Sequence, residues 1–140
     1  MIIEHEIEIA APPERIWEVM IDVERWPEWT SSMISLERLD SGPFSVGSRV
    51  RIRQPRLAAA VWTVTRIEPG RYFEWRSVLP GLTSIGRHRV EPQGSDCSRI
   101  RLSLEWKGML APLINLIYGD LSRRYVDTEA EGLKRRAEGR

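Results

Sequence analysis

Cysteine is almost absent: Cys97 is the single one among 140 residues, which excludes an intramolecular disulfide. The two histidines, His5 and His88, lie far apart, so no Cys/His cluster has zinc-site spacing, and neither a metal nor a cofactor is expected. Lysine is nearly as scarce, with Lys107 and Lys134 set against nineteen arginines. An excess of one charge is also missing. The 21 basic and 20 acidic residues leave a net charge of +1, which argues against a general nucleic-acid binder. There is no long hydrophobic run: the stretch from Met109 to Tyr118 is interrupted by Pro112 and Asn115, and is about half the ~20 residues that span a bilayer. The opening Met-Ile-Ile-Glu-His-Glu carries acids where a secretory signal needs a basic segment. Ser-His-Asp order, phosphate-cradling glycine loops, repeats and linkers are missing too. The expectation is one soluble, cytoplasmic domain over residues 1–140, long enough to bury a core of its own.

What is there is strong patterning. Residues 2–9 alternate, with Ile3, His5, Ile7 and Ile9 on one side and Glu4, Glu6 and Glu8 on the other, which predicts a half-buried strand. Ala11-Pro12-Pro13-Glu14 ends it and opens a short helix carrying Ile16, Trp17, Val19 and Met20. A second short helix is expected from Val23 to Trp29. From Ser31 to Trp106 about six strands are separated by turn signals at Ser41-Gly42-Pro43, Pro69-Gly70, Pro80-Gly81 and Gln93-Gly94-Ser95-Asp96. After Gly108 the period changes. Leu110, Leu113, Ile114, Ile117, Leu121, Tyr125 and Leu133 recur mostly three or four residues apart, which predicts one long amphipathic helix from about Leu110 to Arg136. Consecutive hairpins imply an antiparallel sheet whose apolar face this helix must cover.

Turn parity assigns the faces. Two-residue loops at Pro69-Gly70 and Pro80-Gly81 place Trp62, Val64, Phe73, Trp75, Ser77, Leu79, Ser84, His88 and Val90 inward, with Arg66 among them. Thr63, Thr65, Glu74, Arg76, Arg87 and Arg89 then face outward, Glu74 opposite Arg87. The next strand adds Ile100, Leu102, Leu104 and Trp106 inward. So many rings beside Arg, Ser and His suit a cavity with an apolar wall and sparse polar groups. Gly86 opposite Trp75 is expected to leave space in that wall.

The order of Ala11-Pro12-Pro13-Glu14-Arg15-Ile16-Trp17, Asp22-Val23-Glu24-Arg25-Trp26-Pro27-Glu28-Trp29, Gly86-Arg87-His88, Gly108 and Glu129-Ala130-Glu131-Gly132-Leu133-Lys134 resembles the polyketide cyclase/dehydrase-like branch of the START and Bet v 1-like ligand-binding superfamily. That resemblance runs almost end to end, and its most specific segment is Asp22 to Trp29. It implies an α+β helix-grip fold: a curved seven-stranded antiparallel sheet wrapped around the C-terminal helix, with two short helices after the first strand. It also implies a cavity for an apolar small molecule between sheet and helix. Such proteins share no catalytic motif, so the resemblance carries no catalytic residue with it.

The expected ligand-binding residues are Trp62, Val64, Arg66, Phe73, Trp75, Ser77, His88, Leu102, Leu104 and Trp106 from the strands, with Leu113, Ile117 and Leu121 from the helix. His88 is the catalytic candidate, against the plainer reading of a hydrogen-bonded core histidine. Arg66 either holds a carboxylate or enolate or extends to the rim. His5 reads as a structural or rim residue. Tyr118 and Tyr125 read as buried rings, Cys97 as unreactive, and Arg49, Arg51 and Arg53 as a solvated strand face. Three function classes follow: a binder or carrier of a lipid, isoprenoid or polyketide-like molecule, a cyclase, aromatase or dehydratase using the same cavity, and a protein-interaction module. The expected partner is a hydrophobic small molecule; homodimerisation stays open.

Overall fold

The computed structural model describes residues 1–139. The elements run β1 (Ile2–Ile9), α1 (Pro13–Ile21), a 3-10 helix (Val23–Glu28), β2 (Ser35–Arg38), β3 (Arg49–Arg53), β4 (Ala60–Glu68), β5 (Tyr72–Leu79), β6 (Leu82–Pro92), β7 (Ser98–Lys107) and α2 (Ala111–Ala137). One curved seven-stranded sheet has the order β1-β7-β6-β5-β4-β3-β2, antiparallel throughout, and α2 packs across it in a helix-grip fold. Among the described residues, no helix is long and apolar enough to cross a membrane.

Local sequence explains the elements that frame the interior. Ile3 and Ile9 of β1 are buried, while the glutamates between them are exposed. Pro12 and Pro13 start α1, where missing amide protons cost nothing. The tight repeat of the 3-10 helix turns Val23 and Trp26 inward together. Trp26 is 1% exposed and satisfies its indole by donating to the Met20 carbonyl at 3.0 Å. Gly108 has φ +108 and lies so close to the β5–β6 turn that a Cβ would come 2.5 Å from the Gly81 carbonyl. That carbonyl accepts the Leu110 amide at 2.9 Å, docking the start of α2 on the hairpin.

The β5–β6 register follows turn parity: Phe73 faces His88, Glu74 faces Arg87 and Trp75 faces Gly86. The β4–β5 register departs from it. Glu68 pairs with Tyr72 across a three-residue turn, and a bulge between Val64 and Arg66 restores the Val64–Trp75 pairing. The inserted residue reverses the faces locally. Arg66 therefore sits opposite Glu74 on the outer face, its side chain 62% exposed, paired with Glu68 at 2.7 Å and over the Tyr72 ring. Ile67 takes the inner face opposite Phe73 and packs on the core. The expectation of an inward Arg66 is overturned because burying Ile67 and solvating the guanidinium are both favourable.

The outer face carries a second polar cluster around Glu74, which is 8% exposed. Its carboxylate accepts hydrogen bonds from Thr65 (2.8 Å) and Tyr72 (2.9 Å), with Arg76 and Arg87 at 3.5 and 3.4 Å. Burial works to raise its pKa, but these hydrogen bonds and guanidiniums together hold it below the ordinary 4.5. An unfolded chain therefore takes up the proton first as pH falls. Stability from this group is complete above 4.5 and drains as pH drops through the lower native value. Urea melts from neutral to about pH 3 should show Glu74→Gln losing stability at neutral pH yet falling less steeply in acid than wild type. Parallel acid limbs would remove the cluster from the account of acid stability.

Candidate functional site

Between β6, β7 and α2 lies a cavity of about 80 Å³ lined by Met33, Ile52, Gln54, Trp62, Trp75, Gly86, His88, Leu102, Leu104, Ser122, Tyr125, Val126 and Glu129. Two indoles, two leucines and an isoleucine line its sheet side, where Gly86, Arg87, His88 and Ser103 also border it. Gly86 does not leave the expected gap. The Trp75 indole already lies over it, 2.8–2.9 Å from where a Cβ would be, so glycine here admits the ring rather than a ligand.

His88 sits at the centre of a ring cluster and is 5% exposed. It stacks on Phe73 (4.1 Å between centroids, 7° between planes), meets Trp75 edge-on at 5.5 Å and lies 5.6 Å from Trp26. Its Nε2 is 3.5 Å from the Glu129 Oε2 of α2, and both side chains are largely buried, at 6% and 13% exposure. Its Nδ1 is buried and has no hydrogen-bond partner among the described residues. In the tautomer with its proton on Nε2, facing the carboxylate, the Nδ1 lone pair is unshared. An imidazole beside a carboxylate, in apolar surroundings, can accept a proton and have the resulting charge balanced. His5 forms the other histidine–carboxylate contact: Nδ1 is 2.7 Å from Asp127 Oδ1, half-exposed, tying β1 to α2 at the rim.

The structure brings Trp62, Trp75, His88, Leu102 and Leu104 together at the cavity. Val64 and Phe73 are sealed in the core behind it, at 1% and 0% exposure, and Ser77 is buried away from the lining. Trp106 belongs to a smaller apolar cluster with Ile3 and Ala111. The helix residues need correction. Leu113 and Ile117 are 50% and 58% exposed, and Leu121 lines a separate outer pocket. Along α2, Leu113, Leu116 and Ile117 stand in solvent, whereas Ala111 at its start and Ser122, Ala130, Gly132 and Leu133 further on are buried. Arg66 lies outside the cavity, as described above. Among the described residues, no group of three or more His, Cys, Asp and Glu is placed to hold a metal.

A family model described as polyketide cyclase / dehydrase and lipid transport matches residues 1–138. The chain belongs to this family. A Streptomyces halstedii protein named as a candidate polyketide cyclase is 34% identical over 91 residues, covering 63% of this chain and 72% of that one. Two solved structures share the fold. The di-domain ARO/CYC BexL, from the BE-7585A biosynthetic pathway, has TM-score 0.74 and 18% identity. It is matched over 99% of this chain and 46% of its own, so the chain spans about half of that protein. Norcoclaurine synthase from Thalictrum flavum, solved with dopamine and hydroxybenzaldehyde, has TM-score 0.69 and 18% identity over 96% of this chain and 84% of its own.

Within this polyketide cyclase/dehydrase-family chain, the residues that sequence reasoning missed come mainly from α2. Ser122, Tyr125, Val126 and Glu129 follow i, i+3, i+4, i+7 spacing and so share one face. Tyr125 already stood in the apolar stripe, but as a buried ring; Ser122 and Glu129 beside it are polar, and hydrophobic periodicity passes over them. Glu129 lay within the Glu129-to-Lys134 segment, but nothing local couples it to His88, which is 41 positions away.

Proposed function

We propose that the chain binds a small, apolar, ring-bearing molecule in the cavity between the sheet and α2. The observation that carries this is the composition of the lining: indole and aliphatic walls with the His88–Glu129 pair as the polar group that orients a ligand. The ring-bearing ligands of norcoclaurine synthase, in the same fold, support a flat partner. The resting volume of about 80 Å³ is well below the roughly 300 Å³ at which ligand pockets begin. Binding therefore requires the half-buried Trp62 or Tyr125 to move aside. A panel of naphthalenes, flavonoids and fatty acids should separate the readings. A binder should shift tryptophan emission and, at a hundredfold excess over its Kd, stabilise the fold by roughly 2.7 kcal/mol. No emission change and no rise in Tm across the panel would mean a solid core and favour a protein-interaction role.

A second reading is favoured by the unshared Nδ1 lone pair of His88. In a cyclase- or dehydratase-type reaction, the ring would take a proton from a carbon beside a carbonyl. The C–H electron pair would pass into the enolate, while Glu129 balanced the imidazolium.

A further inference from the structure

Tyr125 has a second neighbour besides the cavity: it also lines an outer pocket of about 260 Å³ with Ser31, Ser32, Arg56, Arg124 and Thr128. The two spaces therefore share one side chain as their wall. Among the described residues, nine arginines stand in ion pairs with carboxylates. Arg56 and Arg124 have no carboxylate and no hydrogen-bond acceptor among the described residues, yet both face this pocket. Other described arginines are also without a carboxylate, but these two line one concavity that adjoins the cavity, together with Ser31, Ser32 and Thr128.

Arg56 is held there at some cost. Its φ of +67° is the one positive value at a non-glycine residue among those described. A side chain in the left-handed region persists where its surroundings impose it. Here the turn is pinned on both sides: the Tyr125 hydroxyl donates to the Pro55 carbonyl, and the Gln54 amide donates to the Ser32 carbonyl at 3.2 Å. The same tyrosine thus separates the two spaces and anchors the turn that presents the guanidinium.

The geometry points to a two-part ligand: an apolar ring body in the inner cavity, and an anionic end (carboxylate, sulfonate or phosphate) held by Arg56 and Arg124 in the outer pocket. Two guanidinium forks with neighbouring hydroxyls suit an oxyanion better than any neutral group. This deepens the cavity reading above and rests on it.

Two fluorescent probes with one ring body test it: N-phenyl-1-naphthylamine, which is neutral, and 8-anilinonaphthalene-1-sulfonate, which adds the anion. Fluorescence titration of the wild-type protein should give at least about tenfold tighter binding of the sulfonate, a preference that shrinks as salt is raised. In Arg56→Gln/Arg124→Gln the ratio of the two affinities should collapse toward one, and in Arg56→Lys/Arg124→Lys part of it should return, with melting curves recorded on both. Neutral-probe binding with a wild-type ratio near one, or a ratio that the glutamine variant leaves intact, would overturn the two-part ligand while the cavity reading stands. Failure of the neutral probe to bind wild type would overturn both. Competition separates the source of the anion. Naphthalene-1-sulfonate should displace the anionic probe far better than inorganic sulfate; equal displacement would assign the pocket to a free anion and overturn the proposal.

Discussion

Gly132→Ala is expected to destabilise the protein by about 3 kcal/mol, although alanine is the better helix former. A Cβ at this position would lie 2.0 Å from the Trp29 carbonyl oxygen and 3.1 Å from its ring. The oxygen is backbone, so it cannot rotate away; α2 or the segment after the 3-10 helix has to shift. The gain from removing a mid-helix glycine is ~1 kcal/mol and is outweighed. Gly119 supplies the control within the same helix. Its Cβ would approach only the flexible amide of exposed Asn115, at 3.2 Å. Gly119→Ala should therefore raise stability by roughly 0.5–1 kcal/mol. Urea melts of the two variants should move in opposite directions. A Gly132→Ala protein at or above wild-type stability would mean that the close approach of α2 to Trp29 is not part of the native packing. The consequence would reach the cavity, because Trp29 rests on Trp26 at 5.4 Å and Trp26 borders His88.

Replacing His88 and Glu129 together with leucine should leave the fold at least as stable as wild type while removing the chemistry of the cavity. A largely buried charge-capable pair loses its hydration on folding, and the unpartnered Nδ1 adds to that cost. Leucines of similar volume carry neither burden. The single change His88→Leu should instead cost about 1–3 kcal/mol, since it strands the Glu129 carboxylate among apolar groups. Proton transfer is read separately, by deuterium exchange at the activated methylene of 2-tetralone followed by NMR. Wild type should exchange it at least about a hundredfold faster than the double variant if His88 acts as a base. Equal exchange rates would exclude the enzyme reading and leave a binding cavity. A double variant less stable by several kcal/mol would make the pair a structural element.

The strand and helix frame was legible in the sequence because it rests on local rules. Period-two alternation marked β1 from Ile2 to Ile9, paired prolines opened α1, and the two-residue Pro80-Gly81 turn placed Phe73 opposite His88 with no tertiary information. The ordered motifs carried the family, which the match over residues 1–138 bears out.

Tertiary structure alone decided three things. The bulge at Thr65 turned Arg66 out and Ile67 in, because burying an isoleucine outweighs keeping a regular ladder, and parity assumes regularity. Which residues of α2 reach the sheet was likewise invisible: Leu113 and Ile117 fit the apolar period as well as any residue, yet they stay exposed while Ala111, Ser122, Ala130 and Leu133 are buried. The third was the meeting of His88 with Glu129, and the placing of Arg56 and Arg124 in one pocket beside Tyr125. Periodicity reports which face a side chain takes on its own element. Which groups meet across elements depends on the curvature of the sheet and the seating of α2, and only the assembled fold determines those.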